Sequence, residues 1–241
     1  MMAAAALSGQ ALKGIRVVEI AGRFGNYSGK LFRDLGAEVI LVEPPGGAPE
    51  RRTPPLAKTE LGLRFAYDNA GKQSIALDLS DDADRDVCRG LIGEADLLLE
   101  SGQPGRLAEL GLSFAALSAL RPSLVMTSIT GFGQTGPCAD WQSDDLIAFA
   151  TGGMMSLAGY SDSTPLAASG DLAEIGAHAF AATASLAAVF AAEMTGQGEF
   201  IDVSMRGCLV MGVGNAAQFV DLEDGVRRRH GGEQPPCRRR T

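Results

Sequence analysis

The stretch between Glu174 and Glu193 contains no aspartate, glutamate, lysine or arginine, and it constrains the fold of this chain more than any other feature. Alanine dominates the stretch and predicts a long α-helix. The absence of charge predicts that this helix is buried on nearly every face. The helix is expected to end at Thr195–Gly198, before a short strand at Phe200–Val203. The stretch is long enough to test as a membrane span. However, it holds few leucine, isoleucine or valine residues and includes His178, which favours a helix buried in protein.

Two carboxylates, Asp171 and Glu174, stand at the start of this helix. The helix macrodipole favours an ionised carboxyl group at that position, and the mouth of a buried helix shields it from bulk water. These conditions suit a reactive carboxylate. The alternative is that one of the two only caps the helix, because aspartate at the N-cap and glutamate at N3 satisfy free backbone amides. The pattern alone favours the capping alternative.

The N-terminal part of the chain is typical of a βαβ unit. The apolar run Ile15–Ile20 predicts a buried parallel strand. A glycine-bearing turn follows, then a predicted helix over Tyr27–Leu35 closed by Gly36, and a second strand at Ala37–Val42. Two prolines come next, and because proline has no amide to donate, the chain should turn there, at the carboxyl end of the strand. Open α/β sheets bind their ligands at that edge.

Strand and helix patterns continue to alternate along the chain, which predicts an α/β protein with an open parallel sheet. The further predicted strands are Ser74–Leu79, Asp96–Leu99 and Leu124–Ile129. The further predicted helices are Asp81–Ile92, with Ser80 as its N-cap, and one or two short helices within Arg106–Leu120.

The segment Gly131–Gly136 has the spacing GxGxxG. That spacing suggests a dinucleotide site, but the context argues against one. The segment lies outside the first βαβ unit, Pro137 follows it at once, and no acidic residue ends a second strand about 20 positions later. A flexible glycine loop at the sheet edge, with amides that can face a ligand, is the preferred interpretation. His178 and His230 form no credible nucleophile–base pair with a serine or cysteine, and His178 is interpreted as a core residue.

The charge and cysteine content restrict the possible partners. A formal net charge of −8 argues against a nucleic-acid surface. The cysteines are scattered and the histidines are too few for a zinc site, which predicts reduced thiols in a cytosolic protein. No signal peptide is evident, so a cytoplasmic location without a membrane partner is expected. The end from Arg227 to Arg240 is rich in arginine and is interpreted as a solvated tail.

Seven segments together carry a further indication: Gly14–Ala21, Lys30–Gly47, Asn69–Leu79, Glu94–Gly105, Ser128–Pro137, Asp144–Gly159 and Thr195–Met205. In this order they resemble one family, the class III CoA-transferases. Relatives of that family include carnitine, formyl and bile-acid CoA-transferases and the α-methylacyl-CoA racemases. Seven matching segments that cover most of the chain are far more specific than any single motif.

The resemblance implies a Rossmann-like open parallel sheet with helices on both faces. It also implies a CoA thioester as substrate, no permanently bound cofactor, no metal, and a homodimer of interlocked subunits. An active-site aspartate would attack the acyl-CoA thioester, carry the acyl group and then CoA, and pass CoA to an acceptor carboxylate. The aspartate follows a glycine in the family, which fits Gly170–Asp171, whereas ungapped spacing from Thr195 points to Glu174. Both residues are therefore candidates.

The residues that the resemblance implies for CoA binding are Arg23, Pro44, Pro45, Ser101, Gly102, Gly131, Gly133 and Gln134. Backbone amides of the Gly131–Gly136 loop are candidates for stabilising tetrahedral oxyanions. The common Asn-Phe of the family is replaced here by Ser101 and Gly102, which changes a usual CoA contact.

The same resemblance predicts an N-terminal extension at 1–12, the large domain at 13–222 and an arginine-rich tail or linker remnant at 223–241. Family members are longer and have a second, smaller domain, so a C-terminally truncated chain is expected. CoA transfer is the leading function. One alternative is a CoA-ester racemase or isomerase, although Asp144 stands where racemases have a histidine. The other is a truncated, catalytically impaired CoA-binding member. The sequence does not reveal the acyl donor or acceptor.

Overall fold

The computed structural model of the chain describes residues 10–223 and 225–231. Their strands form one sheet in the order β3-β2-β1-β4-β5-β6. The strands are β1 Arg16–Ile20, β2 Glu38–Glu43, β3 Gln73–Ala76, β4 Leu97–Glu100, β5 Val125–Thr130 and β6 Phe200–Ser204. The pairs β1–β2, β1–β4, β2–β3 and β4–β5 are parallel. This is the strand order of the Rossmann fold, so the predicted α/β class is confirmed.

Helices connect these strands. They are α1 Tyr27–Asp34, α2 Leu63–Asp68, α3 Asp82–Gly93, α4 Arg106–Glu109, α5 Phe114–Leu120, α6 Asp145–Thr151, α7 Leu172–Thr195, α8 Met205–Val210 and α9 Gly214–Glu223. Short 3-10 helices occupy Pro49–Arg52, Met154–Ser156 and Met211–Val213. Within Arg106–Leu120, where one or two short helices were predicted, the structure has two, α4 and α5.

The central strands are buried on both faces, because successive residues of a strand point to opposite sides of the sheet. On one side, Val18 and Leu98 pack against residues of α3 and α5, including Ile92. On the other side, Val17 and Leu97 pack against residues of α1 and α7. The prediction of helices on both faces is therefore confirmed, and these two layers fix the strands whose carboxyl ends form the candidate site.

The chain divides into two compact units. The first contains the described residues up to Thr130 together with His178–Val203, and therefore nearly the whole sheet. The second contains Gly131–Ala177 together with the described residues from Ser204 onward. Helix α7 starts in the second unit and continues in the first, so its first turn and its long apolar body belong to different units.

The start of α3 differs from the prediction by one residue. The N-cap is Asp81, whose carboxylate accepts hydrogen bonds from the amides of Ala83 and Asp84. Ser80 does not cap the helix, because its amide and hydroxyl both donate to the Asp78 carboxylate. A side chain already used in a turn is no longer available as a helix cap.

The prediction that α7 is buried on nearly every face is wrong. Its inner face packs on the sheet through Val189 and several alanines, but Phe180, Phe190 and Met194 on the outer face are 48%, 64% and 74% exposed. Among the described residues, α7 is the one helix that is long and apolar enough to cross a membrane, and 44% of its most apolar window is buried in the protein. A single helix of this kind is weak evidence for a membrane span, because the core helix of a soluble protein passes the same test.

Candidate functional site

In the first unit, the strand order reverses between β1 and β4, and the segments that follow these strands meet at their carboxyl ends. A Cβ atom added to Gly22 would lie only 2.2 Å from the Ser101 hydroxyl oxygen, so this position requires glycine. The amide of Arg23 donates to the carbonyl of Ser101 over 3.0 Å. Two of the predicted CoA-binding residues, Arg23 and Ser101, are thus held together at the topological switch point, where open α/β sheets bind ligands.

Glu100, the last residue of β4, holds the next predicted residue in place. Its carboxylate accepts a hydrogen bond from the amide of Gly102 at 2.7 Å. Burial raises the pKa of Glu100, and hydrogen bonds from Ser128 and Gly102 oppose that shift. We did not identify Glu100 from the sequence. The available signal was a lone acidic residue at the end of an otherwise apolar strand.

A cleft of about 250 Å³ opens beside the switch point, at the ends of β1 and β2. The predicted residues Pro44 and Pro45 line it, and so do Ser80 and Arg106, which sequence analysis did not identify. Arg106 follows the Pro-Gly turn after β4, and that position was the only sequence signal for it. The lining also includes the acidic residues Glu43 and Asp78, so Arg106 is the cationic residue of this cleft that can meet an anionic group beside the apolar proline rings.

Glu43 fixes the segment that carries the two prolines. Its buried carboxylate accepts two hydrogen bonds of 2.6 Å from Arg51, one of 2.9 Å from the Ala48 amide, and one from Ser74. Burial alone would raise the pKa of Glu43, but these donors outweigh it and lower the pKa to about 2. Glu43 is therefore an ionised structural anchor for the turn at Pro44.

A buried lysine organises the loop after β1. The Lys72 ammonium lies 2.5 Å from the Glu19 carboxylate, and it also donates to the Asn26 carbonyl at 2.7 Å and to the Asn69 side chain at 2.9 Å. Burial raises the pKa of Glu19, while Lys72 and the amide of Gly29 oppose the shift. This buried ion pair connects β1 to the residue before β3, and the bond to the Asn26 carbonyl extends the connection to the start of α1.

His178 is confirmed as a core residue with satisfied hydrogen bonds. Its Nε2 lies 2.8 Å from the Phe24 carbonyl, and its Nδ1 lies 3.2 Å from the Ser28 amide. These partners define the neutral tautomer that is protonated on Nε2, because Nδ1 must accept from an amide. Burial lowers the pKa of His178 to about 4. Both ring nitrogens are engaged within the protein, so His178 ties α7 to the loop before α1 and is not placed to act as a base.

The glycine loop Gly131–Gly136 belongs to the second unit. A Cβ atom added to Gly131 would lie 2.2 Å from the Ser143 Cβ, so the loop and the segment before α6 approach each other closely. The carbonyl of Gly131 accepts from the amide of Arg206 at 3.0 Å, and Gly133 has a φ of 93°. No helix starts directly after the loop. A dinucleotide-binding turn needs such a helix, so the prediction that this segment is not a dinucleotide site is confirmed, while its contact with a ligand stays a prediction.

The two candidate carboxylates also lie in the second unit. Asp171 is exposed and Glu174 is half-buried. Asp171 has a φ of 53°, the left-handed region that non-glycine residues seldom adopt, and it follows Gly170 with a φ of 86°. The carbonyl of Asp171 accepts from the Ile175 amide at 3.0 Å, so Asp171 occupies the N-cap position of α7.

The cap of α7 comes instead from Asp145, which is 28 residues distant from Ala173 in sequence. One Asp145 carboxylate oxygen accepts from the amide of Ala173 at 2.6 Å and from the amide of Glu174 at 3.1 Å. These are the two amides that an N-cap side chain normally binds. The capping role that the sequence suggested for Asp171 is therefore largely taken by Asp145.

Several known proteins are similar to this chain in sequence and in fold. The model of CoA-transferase family III matches residues 12–239. A Thauera aromatica protein described as succinyl-CoA:(R)-benzylsuccinate CoA-transferase subunit BbsE is 43% identical over 93% of this chain and 56% of its own length. The acetyl-CoA:oxalate CoA-transferase of Acetobacter aceti is 36% identical over 75% of this chain and 47% of its own.

Among solved structures, a CaiB/BaiF family protein from Brucella suis has a TM-score of 0.85 and 32% identity over 92% of this chain and 60% of that protein. The chain spans about half the length of the curated relatives that it matches. The match to the family covers nearly every described element of the fold. The chain therefore belongs to CoA-transferase family III.

Proposed function

We propose that this protein transfers CoA from an acyl-CoA thioester to a carboxylic acid, and that Asp171 is the enzyme carboxylate through which the transfer runs. The observation that carries the assignment is the start of α7. Asp171 is exposed in a strained left-handed conformation, and Asp145 takes the amides that Asp171 would otherwise cap. Among the described non-glycine residues, Glu60 and Asp171 have a left-handed φ, and Asp171 is the one that directly precedes a helix. Strained backbone conformations of this kind cluster at functional sites.

The proposed reaction proceeds in four balanced steps. The Asp171 carboxylate attacks the thioester carbonyl, and the C–S bond breaks. CoA leaves as a thiolate, and the acyl group remains on Asp171 as a mixed anhydride. The thiolate then attacks the aspartyl carbonyl, which releases the donor acid and leaves an aspartyl thioester. The acceptor carboxylate attacks that thioester, the C–S bond breaks to release CoA thiolate again, and a second anhydride forms between the acceptor and Asp171. Finally, CoA thiolate attacks the acceptor carbonyl of this anhydride, which frees the new thioester and restores Asp171.

We assign CoA binding to the sheet edge of the first unit, with Arg23, Ser101 and Gly102 at the switch point and Pro44 and Pro45 in the cleft. The support is that the structure brings Arg23 and Ser101 together and supplies Arg106 for an anionic group. Backbone amides of the Gly131–Gly136 loop are the proposed donors to the tetrahedral oxyanions. Succinyl-CoA and acetyl-CoA are the first donors to test, because relatives are named for them.

The reaction predicts an acyl-enzyme that can be trapped and mapped. We expect that the full chain, mixed with succinyl-CoA and then with hydroxylamine, acquires one hydroxamate, because hydroxylamine attacks the activated carbonyl of an anhydride or an aspartyl thioester. Tandem mass spectrometry should locate it on Asp171. Free succinate with CoA is the control and should give no modification. A hydroxamate on Glu174 would reassign the nucleophile, and no modification with either donor would contradict the proposed activity for this chain.

We also propose that the protein forms a homodimer through the outer face of α7. Phe180, Leu186, Phe190 and Met194 form an exposed apolar stripe that a symmetric copy can cover. We expect sedimentation velocity at micromolar concentration to show a dimer, and Phe190→Glu to shift it to monomer by burying an unpaired charge. Val87→Glu, at an exposed apolar position on α3, is the matched control. A monomeric wild-type chain would contradict the proposal, and pairing only with another subunit would replace it.

A further inference from the structure

Two consecutive aspartates, Asp144 and Asp145, cap two different helices. The Asp144 carboxylate accepts from the amide of Ile147 at 2.7 Å and so caps its own helix, α6. The Asp145 carboxylate turns away from α6 and accepts from the amides of Ala173 and Glu174 in the first turn of α7. The pair therefore connects the start of one helix to the start of another, and all of these residues belong to the second unit.

The same segment also contacts the glycine loop. Ser143, the residue before the pair, is buried, and its side chain leaves no space for a Cβ atom on Gly131. Moving Asp145 would therefore disturb both the first turn of α7 and the position of the loop that supplies the proposed oxyanion donors. Ser143, through its contact with Gly131, and Asp145, through its bonds to Ala173 and Glu174, form a short structural link between these two parts of the unit.

The link matters because of what precedes the capped turn. Asp171 lies two residues before Ala173, in a left-handed conformation that is less favourable than the ordinary regions. A strained residue keeps its conformation only where its surroundings hold it. On the helix side of Asp171, the bonds from Ala173 and Glu174 to Asp145 fix the backbone.

We propose that Asp145 is a positioning residue for CoA transfer: its carboxylate holds the first turn of α7 so that Asp171 presents its own carboxylate to the thioester. The inference rests on the proposed function, in which Asp171 is the nucleophile. Asp145 touches no reacting atom in this scheme. Its effect is on the geometry of attack, and a displacement of about 1 Å at a reacting group can lower a rate by about 100-fold.

The variant Asp145→Ala tests the proposal. We expect the single-turnover rate of acyl transfer from succinyl-CoA to fall by about 10- to 100-fold, with the KM for succinyl-CoA changed less than about twofold, because CoA binding is assigned elsewhere. Asp145→Asn should restore the rate to within about threefold of wild type, since its amide oxygen can accept the same two hydrogen bonds. The measurement is rapid-quench kinetics on variants shown to be folded by circular dichroism.

Asp144→Ala is the matched control, because it removes a cap of similar strength from α6 and leaves α7 capped. Equal losses of rate in Asp144→Ala and Asp145→Ala, or a rise in KM without a loss of rate, would overturn the proposal, since either result would mean a merely structural role. Loss of rate in Asp145→Ala alone, restored in Asp145→Asn, would support it.

A readout without substrate separates this proposal from the proposed function. We expect amide hydrogen exchange at Ala173 and Glu174, and at the adjoining Asp171, to accelerate at least about tenfold in Asp145→Ala and to stay near wild type in Asp144→Ala. If the wild-type chain forms no acyl adduct, the proposed function fails, and exchange alone decides whether Asp145 holds this turn. Unchanged exchange in Asp145→Ala would overturn the positioning role whatever the activity.

Discussion

Replacing Asp171 by asparagine is expected to lower the rate of CoA transfer by on the order of 1,000-fold or more, the scale seen when a covalent nucleophile is removed. Asparagine has nearly the same shape as aspartate, so the left-handed turn at the start of α7 should persist. Its amide group, however, is a far weaker nucleophile than a carboxylate and cannot form the anhydride. Steady-state formation of the new acyl-CoA, followed by chromatography, measures the loss.

Glu174→Gln is the matched control for this variant. Glu174 lies one turn further along α7, and its amide is already bound by Asp145. We expect this variant to keep its rate within about fivefold of wild type, because it removes a nearby charge without removing the reacting group. The opposite pattern, with activity retained in Asp171→Asn and lost in Glu174→Gln, would identify Glu174 as the nucleophile.

Lys72→Met should lower the free energy of unfolding by about 3–5 kcal/mol, the range found when one partner of a buried ion pair is removed. The Lys72 side chain is only 1% exposed, and its ammonium is bound by Glu19, the Asn26 carbonyl and Asn69. Methionine fills similar volume but leaves the Glu19 carboxyl buried without its partner. Urea denaturation followed by circular dichroism measures the loss.

The dependence on pH identifies the cause of this loss. Without Lys72, burial keeps the pKa of Glu19 above its ordinary value. The folded variant therefore binds the Glu19 proton more tightly than the unfolded chain does. Its stability should rise as the pH falls through the folded pKa toward the unfolded value of about 4.5.

The double variant Glu19→Gln/Lys72→Met should recover part of the loss at neutral pH, because it removes the charge that was left unpaired. Its glutamine can still accept the hydrogen bond from the Gly29 amide that Glu19 accepts at 3.2 Å. A loss below about 1 kcal/mol in Lys72→Met, or no recovery in the double variant, would contradict this account of the pair.

Local patterns located most of the secondary structure. The strand predicted at Ile15–Ile20 and the helix predicted at Tyr27–Leu35 differ from β1 and α1 by one residue at one end. Apolar runs and glycine stops act over a few neighbouring residues, so they can be recognised without the fold. The exact ends of the helices and strands could not be recognised in this way, because they depend on the hydrogen-bond partners that are available in the folded chain. β3, for example, ends at Ala76, because its partner strand β2 ends opposite it at Glu43, directly before Pro44.

The candidate site was predictable in its parts but not in its connections. Sequence analysis found Asp171, Glu174 and the glycine loop, yet it missed Asp145, Glu100 and Arg106. The Asp145 carboxylate accepts hydrogen bonds from amides that lie 28 and 29 residues further along the chain. Nothing in the local pattern around it distinguishes a cap of its own helix from a cap of another, because both use the same residue type.

The sequence by itself determined the α/β class, the family and the presence of carboxylates at the start of a long uncharged helix. Only the tertiary structure decided the order of the strands, the half of α7 that remains exposed, and the residue that caps it. The physical reason is the range of each interaction. Helix and strand preferences depend on neighbours within about a turn or two. Burial and capping depend instead on contacts between distant parts of the chain. Phe24 and His178, for example, lie 154 positions apart and form a hydrogen bond only in the folded chain.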